Sequence, residues 1–251
     1  MLDSSEYWRG KIALITGATH GIGLRLAERL AAKGVKIATI YRNNDAQAKA
    51  FTEMTASFGT QGVVVKGDVT DKISLTQLIE SAKDEWGRID FLINNVGVDI
   101  WGPIVELSED DWLRAQEIIL NVPFRLAKLC LPVMRGQKFG RILMMGASSR
   151  NYMEGQANLA PFGIHKGALN IFTKTLALEE IQHGITVNMV APGSTAESGV
   201  HDEQDRIPIS KIPLGRRISR DEVVEAILYF LSENASSVTG QFLGVNGGCS
   251  T

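Results

Sequence analysis

The chain has 251 residues, 44% of them hydrophobic and 22% charged, enough to bury one sizeable core. A formal net charge of -2 gives no electrostatic footprint for nucleic acid or for an anionic membrane surface. Two cysteines, Cys130 and Cys249, are too few for a disulfide framework, and no apolar run approaches the roughly 20 residues of a membrane span.

The acidic start, Met1 to Glu6, lacks a basic segment followed by an apolar one, so no secretory leader is expected and the chain is read as cytoplasmic. Lys11 to Ile15 then reads as a buried strand, followed by a glycine turn and a helix to about Lys33. Val35 to Ile40 is a second strand, and Asp45 to Phe58 the next helix. Val63 to Lys66 is a third strand, and Leu75 to Trp86 carries helical periodicity. The apolar run Ile89 to Ile93 is a fourth strand; a helix from about Asp110 to Leu131 leads to the strand Arg141 to Met145. A helix from about Ala160 to His183 precedes the strand Thr186 to Val190. The helix Arg220 to Ser232 and the run Gln241 to Asn246 close the chain.

Seven strands separated by helices imply parallel pairing with right-handed crossovers and helices on both faces. No repeat or linker divides the pattern, so residues 1–251 read as one domain, a doubly wound α/β sheet in three layers. The segment from Ser194 to about Ser219 is the one long connection, polar and interrupted by Pro208 and Pro213. A crevice at the carboxyl ends of the strands needs a cover, and this segment is the expected substrate lid.

The turn Thr16-Gly17-Ala18-Thr19-His20-Gly21-Ile22-Gly23 follows the first strand and opens a helix. Positions without side chains let backbone approach a pyrophosphate, which sits against the positive helix N-terminus. Asp68-Val69, Asn94-Asn95-Val96-Gly97 and Pro192-Gly193 follow three other strands at the same rim. Together they mark the switch-point crevice of a dinucleotide-binding Rossmann fold. NAD-preferring sites place an acid at the end of the second strand, whereas here that end reads Ile40-Tyr41-Arg42-Asn43. An Arg in place of the acid pairs with a 2′-phosphate, so NADP is the expected cofactor, with His20 a second contributor and NAD the lesser alternative.

In order and spacing these motifs, with Asn121, Lys166 and the stretch from Gly240 to Gly248, resemble the short-chain dehydrogenase/reductase family over essentially the whole chain. Within it the chain is similar to 3-oxoacyl-[acyl-carrier-protein] reductases and to sugar or polyol dehydrogenases. The resemblance implies a carbonyl–alcohol oxidoreductase acting on a small-molecule substrate, with no metal, and assembling as a homotetramer or homodimer. It implies a cofactor set of Gly17, Thr19, His20, Gly21, Ile22, Arg42, Asn43, Asp68, Val69, Asn95, Val96, Gly97, Lys166, Pro192, Gly193 and Thr195.

The family's catalytic groups are Asn, Ser, Tyr and Lys. Asn121 and Lys166 match, the first implied to hold a water that links the second to solvent. For the Ser, counting back from residue 162 gives Ser149, or Ser148 with a loop one residue longer; counting from Gly140 gives Ala147. Ser148 is the first choice. At the Tyr position stands Phe162, one helical turn before Lys166. A phenyl ring has no proton to give. His165 and Tyr152 are the rescue candidates, the former read as a solvated helix histidine. An impaired, cofactor-binding pseudoenzyme is therefore the alternative reading. Val98, Trp101, Met153, Leu159 and the 194–219 segment are the expected substrate contacts.

Overall fold

A computed structural model describes residues 5–147, 155, 157–196 and 207–249. Seven strands form one sheet in the order β3-β2-β1-β4-β5-β6-β7: β1 Ile12–Thr16, β2 Lys36–Tyr41, β3 Gly62–Lys66, β4 Phe91–Asn94, β5 Gly140–Met145, β6 Ile185–Pro192 and β7 Phe242–Val245. Every neighbouring pair is parallel. The order reverses between β1 and β4, where Ile15 pairs with Thr39 of β2 on one side and Ile93 of β4 on the other. At that reversal the connections leave in opposite directions and open a crevice at the strands' carboxyl ends.

Strand alternation sends neighbours to opposite cores. Leu14, Leu92, Ile142 and Met144 join the apolar cluster containing Leu75, Leu78, Leu126 and Leu169. Ala13, Ile15, Phe91, Ile93 and Leu143 join the cluster containing Leu26, Leu30, Phe51, Val223 and Ile227. The first layer carries α4 (Lys72–Trp86), α6 (Val122–Gln137) and α7 (Ala160–Glu180); the second carries α2 (Gly21–Ala31), α3 (Asp45–Ser57) and α8 (Arg220–Leu231). A short α1, Ser5–Trp8, seats Trp8 in the second core and was not legible as a helix from four residues.

Four helices start on a side-chain cap. Asn44 accepts from Gln47 N in α3, Asp71 from Ile73 N and Ser74 N in α4, and Ser219 and Glu222 form a capping box on α8. Ser108 caps α5, Glu109–Gln116.

The helix expected over 110–131 is three pieces: α5, a π-helical turn at Glu117–Asn121, and α6. Pro123 removes the N–H that would continue the ordinary ladder, and a π turn accommodates the loss. At its far end α6 runs past Pro132 to Gln137, because a mid-helix Pro costs one hydrogen bond while Met134 is fully buried. The expected helix to His183 finishes as a 3-10 turn at Ile181–His183, closed by Gly184 at φ 76°. Leu169 and Leu176 of α7 belong to the core at 2% and 5% exposure.

The described ends of the 194–219 segment are tied together: Thr195 bridges Ile218, Ala196 N donates to Ile218 O at 2.8 Å and Ile218 N to Ser194 O at 3.0 Å. Ile209–Lys211 is a 3-10 turn, and residues 197–206 lie outside the described residues. Among the described residues no helix is long and apolar enough to cross a membrane.

Leu126 is fully enclosed between α6 and the sheet. Leu126→Ala is expected to lower unfolding free energy by about 2–5 kcal/mol, read from urea denaturation with an unchanged m-value.

Candidate active site

The turn after β1 is sewn to both neighbouring strands. Thr16 Oγ1 accepts from Asn95 N at 2.9 Å and Val96 N at 3.1 Å. Asn95 Nδ2 donates back to Thr16 O at 2.9 Å and Gly17 O at 3.3 Å. On the other side Ala18 N donates to Thr39 Oγ1 at 3.1 Å, and that hydroxyl donates to Ile15 O at 2.7 Å. Gly17 has φ +69°, and a Cβ there would sit 3.0 Å from Val96 Cγ2; a Cβ on Gly23 would lie 2.3 Å from Gly17 O. One glycine supplies the left-handed bend, the other the close approach of helix to turn.

Helix α2 is the exception among the helices that begin at a loop and carry polar N-cap residues. His20 occupies its N-cap in an extended conformation and makes no side-chain cap. Its first N–H groups are left for a ligand at the positive end of the helix dipole. Beside it opens a cleft of about 740 Å³, lined by Gly17, Thr19, His20, Arg42, Asn43, Asp68, Val69, Val96 and Gly97 among the sequence-selected residues. Gly21 and Ile22 begin α2 at its edge.

The cleft is short of acid. Among the described residues Asp68 is its only acidic lining residue: its Oδ1 accepts from Thr70 N at 2.9 Å and Thr70 Oγ1 at 2.8 Å, and its Oδ2 lies 3.6 Å from Arg42 Nη1. The Thr70 backbone N–H, more than Arg42, holds that carboxyl below its ordinary range. The first acid after β2, Asp45, is engaged by the Tyr41 hydroxyl at 2.7 Å and the Lys66 ammonium at 2.8 Å. Arg114 and Ile118, from α5 and the π turn, also line the cleft. Sequence reading missed both, since an exposed helix Arg has no local signature of a distant crevice.

Lys166 is buried, 4% exposed, and its Nζ donates to Met145 O at 2.6 Å. Burial alone pushes its pKa down to about 8. A Cβ on Gly97 would lie 3.8 Å from that Nζ, so the ammonium sits under the loop that follows β4. Phe162, half-buried, places its ring centroid 5.7 Å from Nζ and stacks on Trp101 at 6.4 Å with a 27° interplanar angle. Trp101 Nε1 in turn donates to Asp99.

Several sequence-selected residues are placed differently from the expectation. Asn121 lies in the π turn, and its amide donates to Glu117 Oε2 at 2.7 Å. Burial raises the Glu117 carboxyl, but Arg125 and Asn121 outweigh it and hold the group below its ordinary value. The extra residue of a π turn rotates side chains relative to α-helical spacing, which sequence spacing does not foresee. The Asn95 side chain is committed to the turn, so its service is to shape the cradle. Gly193 packs against Asn246, where a Cβ would lie 2.9 Å from Asn246 Cα, and its N donates to Val245 O at 2.9 Å. Pro192 ends β6, Thr195 pairs with Ile218, and neither lines the described cleft.

His165 is not solvated: it is 5% exposed, edge-on to Trp112 at 4.8 Å, with Nδ1–H donating to Pro161 O at 2.6 Å. Burial lowers its pKa. The α5 helix packs over that face of α7 and excludes water, a contact distant in sequence. Leu159 is 4% exposed and packs at the start of α7 rather than facing a substrate. Ser148, Ser149, Tyr152 and Met153 lie outside the described residues.

An uncapped helix N-terminus beside a glycine cradle, at the point where strand order reverses, is matched by family-level similarity. A family model described as enoyl-(acyl carrier protein) reductase matches residues 17–250. The chain belongs to the short-chain dehydrogenase/reductase family. The Bacillus subtilis (strain 168) protein YtkK, named as an oxidoreductase, is 35% identical over 242 residues, covering 94% of this chain and 95% of the relative. The Escherichia coli (strain K12) 3-oxoacyl-[acyl-carrier-protein] reductase FabG is 34% identical over 245 residues, covering 96% and 98%. A blue fluorescent protein from a metagenomic library, solved in complex with NADPH, superposes with TM-score 0.89 at 26% identity, over 98% of this chain and all of that one. This short-chain dehydrogenase/reductase is thus an oxidoreductase.

In Gly23→Ala the new methyl group would collide with the Gly17 carbonyl. The variant is expected to lose about 1–3 kcal/mol of stability and to bind dinucleotide more weakly, read by thermal denaturation with and without NADPH.

Proposed function

We propose that the chain is an NADP(H)-dependent reductase interconverting a carbonyl and a secondary alcohol, with a 3-oxoacyl thioester or a small ketone or sugar as substrate. The observation that carries it is the acid-poor cleft running from the uncapped start of α2 past Arg42. Its dimensions and donors fit a dinucleotide: glycine backbone for the pyrophosphate, a carboxylate for an adenine amino group, and guanidinium in place of the acid that would repel a 2′-phosphate.

In this reading Gly17, Thr19, His20, Gly21 and Ile22 hold the pyrophosphate, and Arg42 with Asn43 takes the 2′-phosphate. Asp68 and Val69 receive the adenine, while Asn95, Val96 and Gly97 wall the middle of the cleft. Lys166 holds the nicotinamide ribose hydroxyls, and Pro192, Gly193 and Thr195 meet the nicotinamide end. Bound there, NADPH supplies hydride to the carbonyl carbon. The protein's part is to orient the carbonyl, exclude water with the Trp101–Phe162 stack and the 194–219 segment, and hold positive charge near the developing alkoxide. The relatives named as 3-oxoacyl reductases support the substrate class.

Assembly with further copies of the same chain accompanies this reading. Ile164, Ile171 and Leu178 recur every seven residues on α7 and are 54%, 67% and 80% exposed, an apolar stripe suited to a second copy.

The second reading, a cofactor-binding pseudoenzyme with a regulatory or structural role, is favoured by Phe162. Its ring offers no proton, and a positioned acid contributes about 10²–10⁴-fold. NADPH consumption with a panel of ketones and 3-oxoacyl thioesters separates the two. We expect measurable turnover by the native chain and a rise of roughly tenfold or more in Phe162→Tyr. Turnover only in the Tyr variant sinks the working reductase. For the cofactor, Arg42→Ala is expected to weaken NADPH on the order of tenfold or more while leaving NADH nearly unchanged. Tighter binding of NADH than NADPH by the native chain would refute the assignment.

A further inference from the structure

We propose that Arg141 and Thr186 form a binding site for a small monovalent anion of the chloride type, enclosed at the N-terminal edge of the sheet. Both residues lie at the start of their strands, the end away from the crevice, so the inference is independent of the reductase reading.

Arg141 is the second residue of β5 and Thr186 the second of β6, and the two are register partners. Phe91 of β4 pairs with Arg141 on its other side and completes the row. Paired positions send their side chains to the same face of the sheet, and Phe91 places that face in the second core. Arg141 is 5% exposed and Thr186 1%. Two polar atoms in this row find no partner in the protein: Arg141 Nε and Thr186 Oγ1. The same guanidinium donates through Nη1 to Gly140 O at 2.9 Å and Gly184 O at 3.4 Å. Buried polar groups are almost always hydrogen-bonded, and two unpaired donors on facing residues call for one shared acceptor.

Charge decides what that acceptor is. A buried guanidinium is costly without a counter-charge, and each nearby candidate is engaged elsewhere. Asp90, fully buried beside Phe91, accepts from Arg88 Nε at 2.9 Å and Nη2 at 2.6 Å and from Ile12 N at 2.9 Å. Lys11 Nζ lies 3.7 Å from the same carboxylate. Burial raises the Tyr7 phenol to about 12, so that group stays neutral, and its hydroxyl donates to Leu231 O at 2.8 Å. Glu233, on the far side of Tyr7, is exposed. Among the described residues no carboxylate lies within ion-pair distance of Arg141.

Positive charge is crowded here instead. Lys11 Nζ sits 4.0 Å from the centroid of the Phe139 ring, and Arg141 Cζ sits 4.5 Å from the same ring. Burial draws the Arg141 pKa down, the direction expected of a cation removed from water. An anion between Nε–H and the Thr186 hydroxyl would accept from both and neutralise the guanidinium. A water would complete the hydrogen bonds and leave the charge uncompensated.

The surroundings restrict the anion's size. Tyr7 and Phe91 each pack edge to face on Phe139, closing this corner with apolar rings. Neither unpaired atom is open to solvent. One uncompensated guanidinium in a dry setting suits a single negative charge, and a divalent oxyanion would bury a second charge without a partner.

The test compares thermal denaturation of the full chain in sodium chloride, sodium bromide and sodium gluconate at equal ionic strength. Gluconate serves as the anion too large to enter. The native chain is expected to melt about 3 °C or more higher in chloride or bromide, because an anion held by the folded state alone stabilises it by mass action. Thr186→Val keeps the branched shape and removes the hydroxyl, and is expected to lose most of that increment; Arg141→Met is expected to lose all of it. Because Arg141→Met can fold poorly, anomalous scattering from native crystals grown in sodium bromide gives a second measurement. A bromide peak within hydrogen-bond reach of Arg141 Nε and Thr186 Oγ1 is expected.

No bromide peak at these two atoms overturns the site whatever the melting curves show, and density without anomalous signal assigns the row a buried water instead. A chloride increment left intact in Thr186→Val overturns it too. A peak without any melting shift is binding at crystal concentration only, and counts against the site equally.

Discussion

The structure depends on how one turn is held. Between Thr16 and Gly23 the backbone must bend through a left-handed glycine and re-enter as a helix without a side chain in the way. That bend lies in a buried stretch, and its own residues do not fix it. Two strands that are distant in sequence do so: Asn95 and Val96 from the end of β4 meet Thr16, and Thr39 of β2 meets Ala18 and Ile15. Parallel pairing on both sides of β1 is what brings those groups within reach. The sheet therefore shapes the cradle, and the cradle leaves the start of α2 without a cap.

That missing cap matters because four other helices with a polar N-cap residue close their first turn with its side chain. Asn44, Asp71, Ser108 and Ser219 each satisfy the first N–H groups of a helix by a local hydrogen bond worth about 1 kcal/mol. Forgoing it at His20 leaves donors with a dipole behind them at the edge of a cleft with one acid. That acid is tied to Thr70 and faces Arg42, so the field at the crevice favours an anion. These are exposed charges, individually weak and screened by salt; their use lies in choosing a ligand rather than in stabilising the fold.

The opposite end of the crevice works by desolvation. Lys166 is held by one carbonyl and surrounded by apolar groups, and an ammonium in that setting gives up its proton more readily than in water. Phe162 adds to this by placing a ring where a polar group would otherwise share the charge. The ring brings no hydroxyl near the lysine, and Trp101 is stacked on it.

Much of this was legible in the sequence because it is local. Continuous apolar runs marked the seven strands, and glycine spacing marked the turn. The same local chemistry carried the position of Phe162 relative to Lys166, and the absence of an acid after Ile40. What the chain order could not convey was long-range. The π turn that sends Asn121 to Glu117, the burial of His165 under Trp112 and of Leu159 at the start of α7, and the arrival of Arg114 in the cleft all require knowing which helix packs on which. So does the use of the Asn95 side chain, which braces the turn after β1. Spacing fixes which residues share a turn; only the packed sheet and its helices decide which of them lose water, and loss of water sets the chemistry of Lys166.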